Sequence, residues 1–428
     1  MNANMQKARD CALDILKPGA RDLEHGLDLH RNSVVVDAYG FGPVAAEDAG
    51  RLLAAMGAGA SPAEIQDVRE DMTMTRFVND AREQAEFKMA WDESGVTGTF
   101  RNAGEESQRA LTLLKRFARF TYVSDHLRDF APRAVHPDDV IAAKKARRHC
   151  YILTCNGVPL TEQWQTVEEE MAGLTIFFEL GCRMMHLTYN RRNMLGDGCA
   201  EPANAGLSDF GRRVIAEMNR LGIIVDVAHS GWRTSLEAAR ASTRPVVASH
   251  TTCYALQRCC RAKSDEVIRA IVDGGGLIGI CGIPGFLGGD GTIRALLDHI
   301  DYAVKTFGAD RVAIGTDTCY TSSASEFNER LEPRWPRMRP RFESFWPADD
   351  PQYAPEWRHD HQRLSLDWIN WPMFTVGLVQ RGYADADIQK IIGGNMLRVA
   401  RDVLNPDITP VAGPGAGMSG VLTHKSGN

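Results

Sequence analysis

Long apolar runs are missing from this 428-residue chain: no stretch of about eighteen apolar residues occurs, so the sequence offers no membrane-spanning helix. The opening residues Met1 to Asp10 lack the apolar centre of a secretory signal, and a cytoplasmic location is expected. Charge of one sign is also scarce. A net −6 with acids and bases interspersed supplies neither a basic stripe for nucleic acid nor a patch for a membrane surface, which leaves a small molecule as the expected partner. The ten cysteines contain no Cys-x-x-Cys pair, and Cys259 and Cys260 are adjacent; zinc-finger spacing is excluded, and reduced, mostly buried thiols are expected. There is no Gly-x-Ser-x-Gly elbow. The triplet Gly274-Gly-Gly276 lacks phosphate-loop spacing and reads as a helix end.

What the chain does have is a rhythm of short apolar runs, at 34–36, 95–100, 151–154, 184–188, 223–227, 246–249, 277–281 and 312–315. Several intervening segments have helical grammar. Ser208 to Arg220 opens on a Ser cap and stops before Gly222, Ser264 to Asp273 runs from a cap to the Gly triplet, and Ile293 to Phe307 ends at Gly308. Eight strand–helix units predict an α/β fold, a (β/α)8 TIM barrel whose chemistry lies at the carboxyl ends of its strands; a doubly wound open sheet is the alternative. One barrel domain over residues 1–404 is expected, with insertions at about 42–93 and 319–367 over the catalytic face and a flexible tail at 405–428.

Two of the runs close on histidine. Gly222-Ile-Ile-Val-Asp-Val-Ala-His229 and Pro245-Val-Val-Ala-Ser-His250 flank a segment of helical spacing, Trp232 to Arg240, which makes their strands parallel neighbours in a βαβ unit. A carboxylate, Asp317, follows the eighth run in Val312-Ala-Ile-Gly-Thr-Asp317. A lone His at a strand end is usually a structural hydrogen-bonding residue; two, with a carboxylate on the same rim, point to a metal-assisted hydrolytic site. Neutral imidazoles ligate Zn2+ well, and a carboxylate can move a proton to a leaving group.

The segments Leu180 to Asn190, Val225 to Ser230, Val247 to His250, Ala313 to Asp317 and Ile391 to Arg398 together resemble the renal or membrane dipeptidase family, peptidase M19 of the amidohydrolase superfamily. The resemblance spans roughly residues 30 to 405 and implies a barrel that cleaves dipeptides with two zinc ions. It implies that His229 and His250 ligate the second metal, that Asp317 shuttles the proton, and that Arg261 grips the substrate's free carboxylate through its two-pronged guanidinium. The alternative for Arg261 is a solvated residue ahead of a helix. The resemblance also implies a dimer.

The departures carry equal weight. Where the family has Asp-Gly-His-x-Asp, this chain has Asp37-Ala-Tyr39-Gly-Phe41, so two ligands of the first metal are gone. Asn156 stands for the bridging Glu, a poor bridge between dications, and Tyr189 for a His that polarises the scissile carbonyl, although a tyrosine can still donate to an oxyanion. His359 and His361, in the second insertion, and Cys155 are candidate replacement ligands. A single-zinc dipeptidase-like hydrolase is therefore expected. Two alternatives stay open: a repurposed lyase, isomerase or lactonase with Tyr39 and Phe41 lining an aromatic pocket and Tyr39 as acid–base group, and a non-catalytic binding protein.

Overall fold

Eight strands pair in parallel, each with the next along the chain, in a computed structural model that describes residues 1–104, 110–160, 166–324 and 344–404. They are β1 (Val36–Gly40), β3 (Gly98–Asn102), β4 (Cys150–Cys155), β5 (Cys182–His186), β6 (Ile224–Asp226), β7 (Val246–Thr251), β8 (Leu277–Ile280) and β9 (Val312–Ile314). All eight apolar runs thus become barrel strands, with boundaries shifted by a few residues. Two short strands, β2 (Gly42–Val44) and β10 (Cys319–Thr321), pair in parallel outside the barrel. The open-sheet alternative is excluded by how the first and last barrel strands meet.

That seam has no strand ladder. It is closed by Asp37 on β1, whose carboxylate accepts from the Thr316 backbone N–H at 2.9 Å, the Thr316 hydroxyl at 2.7 Å and the Trp368 indole at 3.0 Å. The Asp317 N–H donates to the Tyr39 carbonyl at 3.0 Å, and the Phe41 N–H to the Thr318 carbonyl at 3.0 Å. Tyr39 and Asp317 are therefore held side by side at the mouth, although 278 residues separate them.

Side chains alternate along each strand. Ile224, Val247, Leu277 and Ala313 face the barrel interior with Met396, Val399 and Val403 of the helix Asn395–Leu404, which closes the barrel floor. Val225, Ala248, Ile278, Val312 and Ile314 belong to the outer layer under the surface helices. Those helices keep the boundaries their caps predict. Ser208 accepts from the Gly211 N–H, Ser264 from the Val267 N–H, and Gly222 ends its helix in the left-handed region at φ 79°.

The first expected insertion forms β2 and the helices Ala49–Gly57, Pro62–Asn79 and Ala81–Ser94, of which the last packs Phe87 and Trp91 into the main core. Part of the second lies outside the described residues, as does the whole expected tail at 405–428. The described remainder of the second insertion is β10, a series of short turns and the helix Asp360–Ser365. Among the described residues no helix is long and apolar enough to cross a membrane.

The interior is tight at the end of β9. A Cβ added at Gly315 would lie 1.9 Å from the Ser249 carbonyl oxygen, which is barrel backbone and cannot retreat. Gly315→Ala is expected to cost at least about 3 kcal/mol, seen as a lowered urea midpoint. Gly57→Ala, where nothing lies within 4 Å, is expected to leave that midpoint unchanged or raise it slightly.

Candidate functional site

Imidazoles gather where β5, β6 and β7 end. His229 follows β6 and His250 lies within β7, and their Nε2 atoms are 2.9 Å apart. Each ring is held from behind: His229 Nδ1 meets Asn190 Oδ1 at 2.7 Å, and His250 Nδ1 meets the Ser249 hydroxyl at 2.8 Å. Burial, reinforced by the Arg261 charge, pushes both pKa values well below the usual histidine range, so both rings are neutral, the form that ligates cations.

A third histidine, not singled out from the sequence, stands beside them. His186 closes β5, is 1 % exposed, and lies with its ring centroid 5.2 Å from those of His229, His250 and Tyr39. Its Nε2 is 2.8 Å from Asp226 Oδ2, yet neither ring nitrogen makes a hydrogen bond of acceptable angle. The other Asp226 oxygen accepts from the N–H groups of Ala228, at 2.9 Å, and Ser249, at 3.1 Å. Burial alone would raise the Asp226 pKa; His186 and these hydrogen bonds outweigh it and keep the carboxyl below the usual range. The sequence signal that marks His229 and His250, a histidine ending a buried strand, is present at His186 as well.

Above the histidines is a cavity of about 320 Å3. Tyr39, Phe41, Asn156, Tyr189, His229 and Asp317 all line it, so six of the eight residues chosen from the sequence share one wall. Tyr39 stacks on His250 with ring centroids 3.9 Å apart, and Tyr189 stacks on His229 at 4.1 Å. The Tyr39 hydroxyl donates to Asn156 Oδ1 at 2.5 Å. Asp317 sits at φ 56°, a left-handed conformation that turns its carboxyl over the cavity; burial, aided by the nearby Asp37 charge and opposed by Arg261, raises its pKa to about 7. Arg101, Phe286 and Trp346 complete much of the wall.

Arg261 does not occupy its expected place. It is 1 % exposed; Nη1 donates to the Ala228 carbonyl and Nη2 to the His250 carbonyl at 3.0 Å, and it is absent from the cavity wall among the described residues. The fork braces the backbone of both histidines instead of facing a ligand, and it is no solvated arginine either. The candidate replacement ligands are elsewhere too. Cys155 is buried with its sulfur 3.1 Å from that of Cys182, and burial keeps it a thiol. His359 and His361 are exposed, and His361 borders a surface hollow against the helix Ala3–Leu16.

With the geometry in place, comparison with known proteins is decisive for the family. The profile described as membrane dipeptidase, peptidase family M19, matches residues 28–331. The chain belongs to this family. Dipeptidase tcpJ of Claviceps purpurea is 27 % identical over 235 residues, 54 % of this chain and 47 % of that protein. An uncharacterized dipeptidase of Schizosaccharomyces pombe is 32 % identical over 188 residues, 42 % of this chain and 44 % of that one. This chain thus spans about half the length of the curated relatives it matches. The crystal structure of an amidohydrolase from Pseudomonas aeruginosa shares the barrel, with a TM-score of 0.63 and 23 % identity over 89 % of this chain and 99 % of that one.

M19 is a metallopeptidase family, and the donors of this M19 chain divide in two when tested for a cation. At the family's first metal position Phe41 has no donor atom and the Asn156 oxygen is taken by Tyr39, so a cation does not fit there. On the other side buried imidazoles converge, and His186, Asp226 and His250 offer ligand atoms within 4.8 Å of one another. There one cation fits.

Asn190 holds His229 from a left-handed backbone position at φ 57°, which Asn tolerates and Ala does not. Asn190→Gly, which removes the side chain without straining the left-handed backbone, is expected to lower unfolding free energy by about 1–3 kcal/mol, and Asn190→Ala by about 1 kcal/mol more. Urea titration of the three proteins checks the order.

Proposed function

We propose that this M19 barrel hydrolyses a small amide carrying a free carboxylate, a dipeptide or a close relative, with one divalent cation at His229 and His250. The observation that carries this reading is the pair of neutral imidazoles, Nε2 to Nε2 2.9 Å, of which His229 lines the same cavity as Asp317. Bound there, a cation such as Zn2+ supplies Lewis-acid chemistry.

The chain's own residues do the rest. Asp317 takes the proton of the attacking water and returns it to the leaving amine, a task suited to a carboxyl whose pKa lies near the working pH. Tyr189 stands on the wall beside His229 as the donor for the developing oxyanion. The substrate carboxylate is drawn by positive charge, from Arg101 in the wall and Arg261 behind His250. Phe41, Phe286 and Trp346 cover apolar parts of the substrate and exclude water.

One observation favours a second reading. The first metal position is filled by the Tyr39–Asn156 hydrogen bond and an aromatic wall, which suits a repurposed lyase, isomerase or lactonase with Tyr39 as acid–base group. A panel of dipeptides separates the two: steady turnover excludes the second, and silence across the panel with turnover of a lactone or another ester favours it.

Asp317→Asn is expected to lower kcat/KM by about 10²- to 10⁴-fold without unfolding the protein. As a base, Asp317 acts only when charged, so kcat/KM is expected to fall as pH drops through its pKa. That acid limb lies at or below about 7, because a bound cation adds to Arg261 in favouring the carboxylate. A pH–rate profile with no acid limb between pH 4 and about 7 would remove Asp317 from this role.

A further inference from the structure

Two side chains given no role so far lie against the histidine pair. His186 and Asp226 close β5 and β6, are fully buried, and are 2.8 Å apart, while the ring of His186 is equidistant from those of His229 and His250. We propose that this M19 chain has rebuilt its metal centre as a three-histidine, one-aspartate site, in which His186 and Asp226 join His229 and His250 around a single divalent cation. The proposal rests on the single-cation reading above and names the ligands that compensate for Tyr39, Phe41 and Asn156.

The support is in how each donor is presented. Asp226 spends one oxygen on the N–H groups of Ala228 and Ser249, which fixes the carboxylate and leaves Oδ2 facing His186 as a single-oxygen donor. His229 and His250 have their Nδ1 atoms engaged by Asn190 and Ser249, which directs both Nε2 atoms to one point. This is how outer partners orient metal-bound imidazoles. His186, though buried, makes no hydrogen bond of acceptable geometry through either nitrogen, an arrangement that a cation on Nε2 relieves.

Spacing and chemistry agree. Two ligands of one tetrahedral ion with bonds of about 2.0–2.1 Å lie about 3.3 Å apart; donor atoms of His186, Asp226 and His250 lie within 4.8 Å of one another, and His229 reaches this group through His250, Nε2 to Nε2 2.9 Å. Three nitrogens and one oxygen suit Zn2+ or another first-row ion and not Ca2+ or Mg2+, which take oxygen shells. One carboxylate among three neutral imidazoles also offsets half the charge of a buried dication.

The test uses the full chain, stripped with a chelator and titrated with zinc. The wild type is expected to bind about one zinc per chain, and 15N-histidine spectra are expected to show three imidazoles shifted by the metal. His186→Gln and Asp226→Asn, checked for folding by circular dichroism, are each expected to weaken zinc at least about tenfold and to reduce the rise in Tm on adding it. Two shifted imidazoles, with both variants binding like the wild type, would overturn the four-ligand site while leaving the His229–His250 reading intact. A folded wild type that binds neither zinc nor cobalt at millimolar concentration would overturn both. The spectra need only the wild type, so a variant that misfolds does not spoil the decision.

Discussion

The barrel's seam is fastened at its centre by one carboxylate, with two backbone hydrogen bonds beside it. Asp37 bridges β1 to the end of β9 through Thr316 and to Trp368 of the later chain, and no strand ladder does this in its place. Because the seam lies at the catalytic mouth, the same bridge decides that Tyr39 stacks on His250 and that Asp317 leans over the cavity. A buried carboxylate is an expensive fastening unless its lone pairs are filled. Four donors, the N–H of Tyr39 among them, fill these. Burial still dominates and raises the Asp37 pKa to about 7, so this fastening and the Asp317 carboxyl, whose pKa the Asp37 charge helps to raise, titrate in the same range.

Around the histidines the electrostatics are arranged in layers. Arg261 and Lys263 lie behind His229 and His250, donating to the backbone carbonyls of Ala228, His250 and Ser230, so neither lines the cavity wall as Arg101 does. Burial first, and then the Arg261 charge, keeps the imidazoles unprotonated, and the same charge favours the ionised form of Asp317. The aromatic rings of Tyr39 and Tyr189 then cover the outer faces of the two histidines, leaving little room for bulk water.

The family's usual dication pair and this chain's site share a frame and differ in content. Tyr39, Phe41 and Asn156 stand where ligands are expected, and together they form an apolar wall with one internal hydrogen bond. Across the mouth, His186 and Asp226 bring donor atoms to within 4.8 Å of those of His250. The donors are thus concentrated at the ends of three adjacent strands, β5 to β7.

The strands, the helix caps and the pairing of His229 with His250 were legible in the sequence because they are local: short continuous apolar runs, a Ser before a helix, a Gly after it, and a βαβ unit that fixes its own neighbours. Asp317 was legible as a carboxylate at a strand end for the same reason. His186 carries the same local mark, and only its 2.8 Å approach to Asp226 gives that mark weight. Arg261 shows the opposite failure, since charge and position suggest an outward clamp while burial turns its donors onto carbonyls. Cys155, His359 and His361 have the right chemistry and the wrong place, one in the core and two on the surface. By itself the sequence determined which residues end strands, and hence the fold and the family, because those signals repeat within a few residues. Which of those ends meet, and what each side chain faces, was decided by barrel closure, because contacts between residues hundreds of positions apart depend on packing that no local pattern records.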